Sequence, residues 1–397
     1  MSQQINIHQH PIWKNISAFK KPFHIGRIYL ARQIARLYPR SMFIGVTGSV
    51  GKTGTTGAIT AVLSEKFKTI STISNLNLDP IINIPMTILK IRPNTEKIVL
   101  EMGIEYPGEM DFYLSIIKPN TAVITRIFYA HSEFLGTLEE IIKEKGQLVK
   151  NLAKDGTAIL NWDDLNTRKL AGETQAKIIF FGTSKKDCHV WADNIRLENF
   201  KTHFGLNYGV ERVDMSIPLL GRHWVTSALA ATAVGINEGL NLINIKSGLE
   251  KLIQHPHRLE LLEGLNGQII LDDTYNSSPV ALEEAINVLS ELSGRRRVVV
   301  LGEMRELGQF SERLHRAVAQ KIYKEKIDLV LLSTGETEII YDELKRLGFP
   351  EDRMEVNLSS SQIVTAILKY TKEGDLVLIK GSRSIRLDEV VGRVTKK

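Results

Sequence analysis

Apolar residues along the chain form short runs that alternate with stretches of helical spacing. Between residues 42 and 182, the runs predict strands at 42–47, 97–103, 121–127, 156–161 and 176–182. Helical spacing in between predicts helices near 51–67, 108–117 and 137–152. Apolar, β-branched strands that alternate with helices favour a mostly parallel sheet covered on both sides.

The alternation of apolar runs with stretches of helical spacing stops after residue 187. Short alternating runs over residues 188–219 predict a small antiparallel hairpin region. Helices are expected near 223–238 and 242–254. The segment His255-Pro256-His257-Arg258 is typical of a joint between domains, because prolines punctuate regular structure.

A second series of strands and helices follows this joint. Strands are predicted at 268–273, 297–302, 327–333, 353–357 and 375–380, and helices near 279–292, 311–325, 336–347, 360–371 and 385–394. We predict an α/β protein in which a P-loop ATPase domain with a mostly parallel sheet precedes a C-terminal Rossmann-like domain. The expected boundaries are an N-terminal tail and amphipathic helix at 1–41, the ATP-binding domain at 42–257 and the C-terminal domain at 258–397.

The N-terminal segment is basic. Residues 1–23 are polar, and residues 24–39 have the spacing of an amphipathic helix with arginines on one face. We interpret this helix as packed on the first domain, with contact to a membrane or a partner as the alternative.

Composition narrows the class of protein. The 397 residues carry a net charge of +6, which we interpret as a mildly basic surface rather than a nucleic-acid site. The single cysteine, Cys188, excludes an internal disulfide framework and a multi-cysteine zinc site, and fits a reducing cytosol. No run approaches the roughly 18 apolar residues that span a membrane. We therefore expect a cytoplasmic protein without a transmembrane segment.

A candidate phosphate-binding loop joins the first strand to the first long helix of this domain. Its sequence is Thr47-Gly48-Ser49-Val50-Gly51-Lys52-Thr53. Glycines let backbone N–H groups converge on phosphate oxygens, and the helix N-terminus adds positive potential. Lys52 would reach the β- and γ-phosphates and Thr53 would put its hydroxyl on Mg²⁺. The strict pattern has a glycine where Val46 stands, and the flanking strand and helix still favour a nucleoside triphosphate site.

Other strand ends carry candidate chemical groups. Glu101 ends the second predicted strand, where a Mg²⁺–ATP complex needs oxygen ligands. His131 and Lys145 taken singly are typical of a loop histidine and a solvated helix lysine. The segment 272–276 ends the first strand of the second domain, and the glycine turn at 380–384 ends its last strand as a possible anion-binding nest.

Several motifs occur together in a fixed order. They are the loop at 47–53, Glu101-Met102-Gly103, Ala130-His131 through Lys145-Gly146, Leu220-Gly221-Arg222-His223, His257-Arg258-Leu259, Asp273-Thr274-Tyr275-Asn276, Leu301–Gly308 and Lys380–Ser384. On these motifs, residues 42–397 resemble the Mur ligase family of ATP-dependent amide ligases. The resemblance is strongest to the branch that adds D-alanyl-D-alanine to a UDP-muramyl tripeptide in cell-wall synthesis.

The resemblance implies a role for each matching residue. The residues implied to bind ATP are Thr47, Gly48, Ser49, Val50, Gly51, Lys52, Thr53, Arg258, Asn276 and Glu303. Within this set, Arg258 would reach the γ-phosphate, Asn276 would lie near the base and Glu303 would hold the ribose. The residues implied to act in catalysis are Lys52, Glu101, His131, Lys145 and Arg258.

The same resemblance implies metal and substrate sites. Thr53 and Glu101 would hold one Mg²⁺ and His131 a second, with Lys145 at a position where several family members carry a carbamylated lysine. The residues implied to contact substrates are Asn75, Asn77, Ser382 and Arg383, the last two facing the incoming dipeptide. The expected reaction forms an amide through an acyl phosphate.

The chain also departs from the family pattern. Trp224 and Ser227 stand where two asparagines near the adenine are usual. The branch carries an N-terminal domain that binds the UDP-sugar, and residues 1–41 are too few for it. We therefore expect the muramyl peptide to be bound weakly or through a partner protein that supplies substrate binding. The alternatives are a Mur-like ligase for a non-UDP carboxylate, a partner-dependent subunit, and a nucleotide-binding regulatory module without turnover.

Overall fold

The computed structural model describes residues 11–13, 16–72, 80–292 and 295–396. They divide into two compact units. The first comprises the described residues of Met1–Arg196, Thr202–Ile217 and His223–Leu252. The second comprises those of Leu197–Lys201, Pro218–Arg222 and Ile253–Lys397.

The first unit is built on a nine-stranded sheet in the order β2-β3-β1-β4-β5-β6-β7-β8-β9. Its strands are β1 (Phe43–Thr47), β2 (Thr69–Ser71), β3 (Lys97–Glu101), β4 (Thr121–Ile124), β5 (Thr157–Asn161), β6 (Lys177–Gly182), β7 (Val190–Glu198), β8 (Lys201–Tyr208) and β9 (Glu211–Ile217). Strands β1 to β6 pair in parallel, and β8 pairs with β9 antiparallel. Every residue of β1 is buried, as expected for a strand covered on both sides.

Nine helices accompany this sheet in the described residues. They are α1 (Lys21–Arg36), α2 (Lys52–Leu63), α3 (Asn83–Ile88), α4 (Glu109–Ile116), α5 (Ser132–Leu135), α6 (Leu138–Lys150), α7 (Leu165–Lys169), α8 (Arg222–Asn237) and α9 (Leu242–Glu250). Helix α6 begins with a capping box. The Thr137 side chain accepts a hydrogen bond from the Glu140 N–H, and the Glu140 carboxylate accepts one from the Thr137 N–H.

The second unit has a six-stranded sheet in the order β10-β11-β15-β12-β13-β14. Its strands are β10 (Glu260–Glu263), β11 (Ile269–Asp273), β12 (Arg297–Leu301), β13 (Leu329–Ser333), β14 (Met354–Leu358) and β15 (Leu376–Lys380). Its helices are α10 (Pro279–Glu291), α11 (Ser311–Lys324), α12 (Thr337–Arg346), α13 (Ser360–Tyr370) and α14 (Leu387–Val394). Only β10 is antiparallel to its neighbour. The carboxyl ends of β11, β15 and β12 therefore lie side by side.

The α/β fold class expected from the sequence is confirmed, and the ten predicted strands are all present within a few residues of their expected bounds. Two short strands, β2 and β10, were not predicted. The alternating segment 188–219 forms strands, and the expected antiparallel hairpin is confirmed by the pairing of β8 with β9. Val190 pairs with Phe181 in parallel, so β7 to β9 extend the first sheet beyond β6.

Candidate nucleotide-binding site

The loop after β1 has a backbone that suits phosphate binding. Gly48 has φ of +152°, and Gly51 has φ of +77° at the N-terminal cap of α2. A methyl group placed on Gly48 would lie 2.0 Å from Thr125 Oγ1 and 3.1 Å from the Arg126 carbonyl oxygen. Only glycine fits there without displacement, so the loop keeps its amide backbone uncovered by a side chain at this point.

Neighbouring strand ends hold the loop in place. Thr47 Oγ1 donates a hydrogen bond to the Met102 carbonyl oxygen at 2.7 Å, just after β3. After β4, Thr125 Oγ1 donates to the Val50 carbonyl oxygen at 2.6 Å, and the Ser49 N–H donates to the Arg126 carbonyl oxygen at 2.6 Å. These bonds give a hydroxyl, a carbonyl and an N–H group of the loop partners on the neighbouring strand ends. The sequence analysis did not identify Thr125, although its place near the carboxyl end of the strand predicted at 121–127 is a signal for such a role.

Lys52 folds back over this loop at the start of α2. Its Nζ donates to the Gly48 carbonyl oxygen at 3.0 Å and to the Ser49 carbonyl oxygen at 3.2 Å. The ammonium group therefore lies where the loop and the N-terminus of α2 meet, which is where an anion is favoured.

The next residue, Thr53, pairs with the carboxylate at the end of β3. Thr53 Oγ1 donates to Glu101 Oε1 at 3.0 Å, and Glu101 is buried. A hydroxyl and a carboxylate at this separation form a pair of hard oxygen ligands of the kind that Mg²⁺ takes in nucleotide sites. The structure thus brings together Lys52, Thr53 and Glu101, as the motifs imply.

Lys145 lies in the middle of α6 and is 1% exposed. Burial, followed by the positive charge of Lys52, holds the pKa of its ammonium group well below the ordinary value. Helix α6 lies directly against β1, since a methyl group on Gly45 would be 3.1 Å from Leu148 Cδ1. Lys145 is therefore a buried amine whose charged form is disfavoured, and the interpretation as an ordinary solvated helix lysine is wrong.

Two glutamates that the sequence analysis did not single out accompany Lys145. Glu109 is buried and accepts hydrogen bonds from the N–H groups of Glu105 and Tyr106 at 2.6 and 3.2 Å. Burial raises the pKa of Glu109 to about 7. Glu144 accepts from the N–H groups at the start of α4, at 2.9 Å from Gly108. The Pro107-Gly108-Glu109 turn was the sequence signal available for this cluster.

His131 has a left-handed backbone, with φ of 54°, and caps α5. It lies three positions after Phe128, whose N–H donates to Ser49 Oγ at 3.1 Å. Two residues therefore separate the histidine from a residue that contacts the phosphate-binding loop. Helix α5 packs on α6, the helix of Lys145. Asn75 and Asn77 lie outside the described residues.

Trp224 and Ser227, the two departures from the family pattern, both contact α2. A methyl group on Gly54 would lie 3.0 Å from Trp224 Cζ3, and Thr55 Oγ1 donates to Ser227 Oγ at 3.0 Å. The tryptophan ring is buried against the helix that begins at the phosphate-binding loop.

In the second unit, one aromatic ring contacts both the arginine expected at the γ-phosphate and the arginine expected at the dipeptide. The guanidinium carbon of Arg258 lies 4.0 Å from the centroid of the Tyr275 ring, and that of Arg383 lies 5.3 Å from it. Such distances allow cation–π attraction. Lys380 binds the residues on either side of this tyrosine in the chain. Its Nζ donates to Asp273 Oδ2 at 2.6 Å and to the Asn276 carbonyl oxygen at 2.9 Å.

Glu303 and Ser382 lie at the same carboxyl edge of the second sheet. Arg305 Nε donates to Glu303 Oε1 at 2.6 Å, and the Glu336 N–H donates to Glu303 Oε2 at 3.1 Å. Ser382 Oγ accepts from the Arg305 N–H at 2.9 Å. The structure therefore brings Arg258, Asn276, Glu303, Ser382 and Arg383 to the strand-end loops of this unit.

Comparison with known proteins decides the family. Residues 46–235 match the Mur ligase middle domain, and residues 257–383 match the Mur ligase, glutamate ligase domain. UDP-N-acetylmuramoyl-tripeptide–D-alanyl-D-alanine ligase of Escherichia coli (strain K12) is 33% identical over 358 residues, which are 88% of this chain and 75% of that protein. The chain belongs to the Mur ligase family. The corresponding ligase of Bacillus subtilis (strain 168) is 34% identical over 91% of this chain and 78% of its own length.

Solved structures agree with the assignment of this chain to the Mur ligase family. MurF ligase from Thermotoga maritima in complex with ADP aligns with a TM-score of 0.81 at 25% identity, covering 93% of this chain and 83% of that one. MurF from Acinetobacter baumannii aligns with a TM-score of 0.83 at 24% identity, covering 93% and 80%, which shows the shared fold. The predicted family and the prediction of an ATP-dependent ligase are confirmed. No helix among the described residues is long and apolar enough to cross a membrane.

Proposed function

We propose that this Mur ligase joins D-alanyl-D-alanine to a UDP-muramyl tripeptide at the expense of ATP. The observation that carries the proposal is the grouping of Lys52, Thr53, Glu101 and the buried Lys145 around a preformed phosphate-binding loop. The E. coli and B. subtilis relatives are named for this reaction. A protein that only bound nucleotide would not need a buried lysine beside the loop.

The reaction has two steps. An oxygen of the tripeptide carboxylate attacks the γ-phosphorus of ATP, the bond to the β,γ-bridging oxygen breaks, and ADP leaves with that electron pair. The dipeptide amine then attacks the acyl carbon, phosphate leaves, and the nitrogen loses a proton as the amide forms. Lys52 would exchange its two carbonyl contacts for phosphate oxygens and offset the charge that develops on them.

The donor set of the loop fits Mg²⁺. Thr53 and Glu101 would hold the ion, because their oxygens already lie 3.0 Å apart and the buried carboxylate gains a counter-charge. Bound there, the ion would neutralise phosphate charge. We assign His131 to a second ion.

We also propose that Lys145 is carbamylated. The amine reacts with CO₂ only in its neutral form, and burial, which lowers the pKa of Lys145, makes that form easier to reach. The product would be a carboxylate, which converts a poor ligand for a hard cation into a good one.

In the second unit, the assignments remain those of the family pattern. We propose Arg258 for the γ-phosphate, Asn276 for the base, Glu303 for the ribose, and Ser382 with Arg383 for the dipeptide. The guanidinium groups of Arg258 and Arg383 both lie near the Tyr275 ring, and Asn276 is the next residue along the chain, which supports a shared site. Asn75 and Asn77, the partner protein that supplies substrate binding, and the cytoplasmic location stay predictions from the sequence.

An assay of ADP formation tests the proposal. The protein is incubated with ATP, Mg²⁺, UDP-muramyl tripeptide and D-alanyl-D-alanine, and ADP formation is expected only when both substrates are present. Lys52→Ala should lose turnover while Lys246→Ala, which removes a surface lysine bound to the Asp214 carbonyl oxygen, should keep it. Turnover with a different carboxylate but not with this tripeptide, or full activity of folded Lys52→Ala, would overturn the proposal.

A further inference from the structure

Positive charge is concentrated at the N-terminal end of the chain. Residues 1–41 contain seven of the 51 Lys and Arg residues and none of the 45 Asp and Glu residues. The first acidic residue is Glu65. Residues 42–397 therefore carry 44 basic and 45 acidic residues, a net charge of −1, and the N-terminal segment accounts for the whole positive excess of the chain.

Helix α1 packs on the first unit by one face. Its buried residues are His24, Ile28, Ala31 and Ala35, and it contacts α3 and α4. Spacing of three and four residues places these side chains on one side of the helix. The expectation of a helix packed on the first unit is met by this face alone.

A second side of the helix carries exposed apolar residues. Phe23, Leu30 and Leu37 recur at intervals of seven residues, so they lie along one stripe, and they are 70%, 51% and 79% exposed. Phe19 precedes the helix and is 94% exposed. Of the thirteen large hydrophobic residues found exposed among the described residues, six fall between Phe19 and Leu37. Scattered single exposed residues are ordinary, whereas a cluster of this kind indicates an interaction surface.

Cations border this stripe. The guanidinium carbon of Arg27 lies 5.1 Å from the centroid of the Phe23 ring, and Lys20 is exposed beside Phe19. We call the set Phe19, Lys20, Phe23, Arg27, Leu30 and Leu37 the N-terminal basic face. Aromatic and aliphatic side chains with adjacent Lys and Arg are the residues that an amphipathic helix uses at a lipid headgroup boundary.

We propose that the N-terminal basic face binds the surface of a bilayer that contains anionic phospholipid. The rings and aliphatic side chains would enter the headgroup boundary, and the lysines and arginines would meet lipid phosphates. Pairing with a second copy through the same face would bring two acid-free segments together, and their like charges would oppose it. The association would be peripheral and reversible, and it is independent of the proposed ligase reaction.

Vesicle binding by the full chain tests the proposal. The protein is sedimented with phosphatidylcholine vesicles and with vesicles that also contain phosphatidylglycerol, at low and at high salt. We expect binding to the anionic vesicles only, with a partition coefficient that falls as salt is raised. Light scattering without vesicles should give a monomer.

Two variant pairs separate the contributions of lipid insertion and charge. Phe23→Ser with Leu37→Ser should lower the partition coefficient about tenfold or more, since each removes apolar surface from the boundary. Lys20→Glu with Arg27→Glu should lower it by a similar factor. The matched controls are Val210→Ser with Ile243→Ser and Lys185→Glu with Lys186→Glu, all at exposed positions of the same unit, and they should bind as the unaltered chain does.

Each opposing result would overturn the inference. Binding would contradict it if it were equal on neutral and anionic vesicles, or absent on both. Equal decreases of the partition coefficient in the control variants would also contradict it. So would a dimer in solution that Phe23→Ser with Leu37→Ser dissociates. Displacement of vesicles by a single-stranded oligonucleotide would also overturn it in favour of nucleic acid. Unchanged ADP binding by every variant checks that each has folded.

Discussion

Replacing Gly48 by alanine should expose how tightly the phosphate-binding loop is built against β4. The added methyl group would stand 2.0 Å from Thr125 Oγ1, far inside contact distance. That hydroxyl cannot simply turn away, because it donates to the Val50 carbonyl oxygen at 2.6 Å. The φ of +152° is also one that a residue with a Cβ rarely adopts.

The expected cost follows from these two contacts. Losing the Thr125 hydrogen bond costs about 0.5–1.5 kcal/mol, and holding alanine at an unfavourable φ costs about 1–3 kcal/mol. Gly48→Ala should therefore lower the free energy of unfolding by about 2–4 kcal/mol and weaken ADP binding. Urea unfolding and calorimetric titration with ADP measure the two effects.

A double-mutant cycle separates the clash from the backbone strain. Thr125→Ala removes the clashing oxygen, so Gly48→Ala should cost about 1–2 kcal/mol less in that background, because neighbours that share a contact are not additive. The remaining cost comes from φ and from the Arg126 backbone at 3.1–3.2 Å. Additive costs, or a Gly48→Ala variant as stable as the unaltered chain, would refute the described geometry.

Three further predictions concern the remaining groups. The pKa of Glu109 is about 7 rather than 4.5, so the folded state holds more protons than the unfolded state between these values, and the free energy of unfolding should fall as pH rises through this window. Urea unfolding at several pH values should show less of this fall in Glu109→Gln, and parallel curves would contradict the assignment. Tyr275→Leu should raise KM for ATP or D-alanyl-D-alanine about 3- to 30-fold while Tyr275→Phe keeps it, because the ring attracts Arg258 and Arg383. Steady-state kinetics with Tyr370→Leu as control check this, and a loss in kcat alone would argue against it. Carbamylation of Lys145 predicts that ligation falls when CO₂ is depleted and returns with bicarbonate while ADP binding is unchanged, and activity indifferent to CO₂ would exclude it.

The regular elements of this protein were predictable because their signals are local. The runs that became β1, β12 and β15 are apolar and bounded by turns, and the capping box of α6 can be identified from four residues. The loop at 47–53 was equally predictable from the sequence, since its glycines, lysine and threonine lie within one short segment. Strand β2 was missed because it is three residues long and half-buried, which leaves almost no periodicity to detect.

The rest of the site depends on contacts between distant segments. Nothing local distinguishes Lys145 from a solvated lysine, and its lowered pKa arises from burial by other elements and from the charge of Lys52. The same holds for Glu109, and for Tyr275, whose two arginine partners lie 17 residues before it and more than a hundred after it. Only the family pattern brought Lys145 into the predicted site.

The position of β15 has a consequence for the order in which the second unit can assemble. This strand comes last along the chain but lies between β11 and β12, with Leu376 paired to both Ile269 and Arg297. Until it has left the ribosome, β10 with β11 and β12 with β13 and β14 are two half-sheets with an open edge each, and closing them needs contacts between residues far apart in sequence. A nascent chain that stalls before residue 376 would expose both edges at once. Chaperone dependence during synthesis should therefore concentrate on this unit, and moving the stall far enough beyond Lys380 for β15 to leave the ribosome should relieve it.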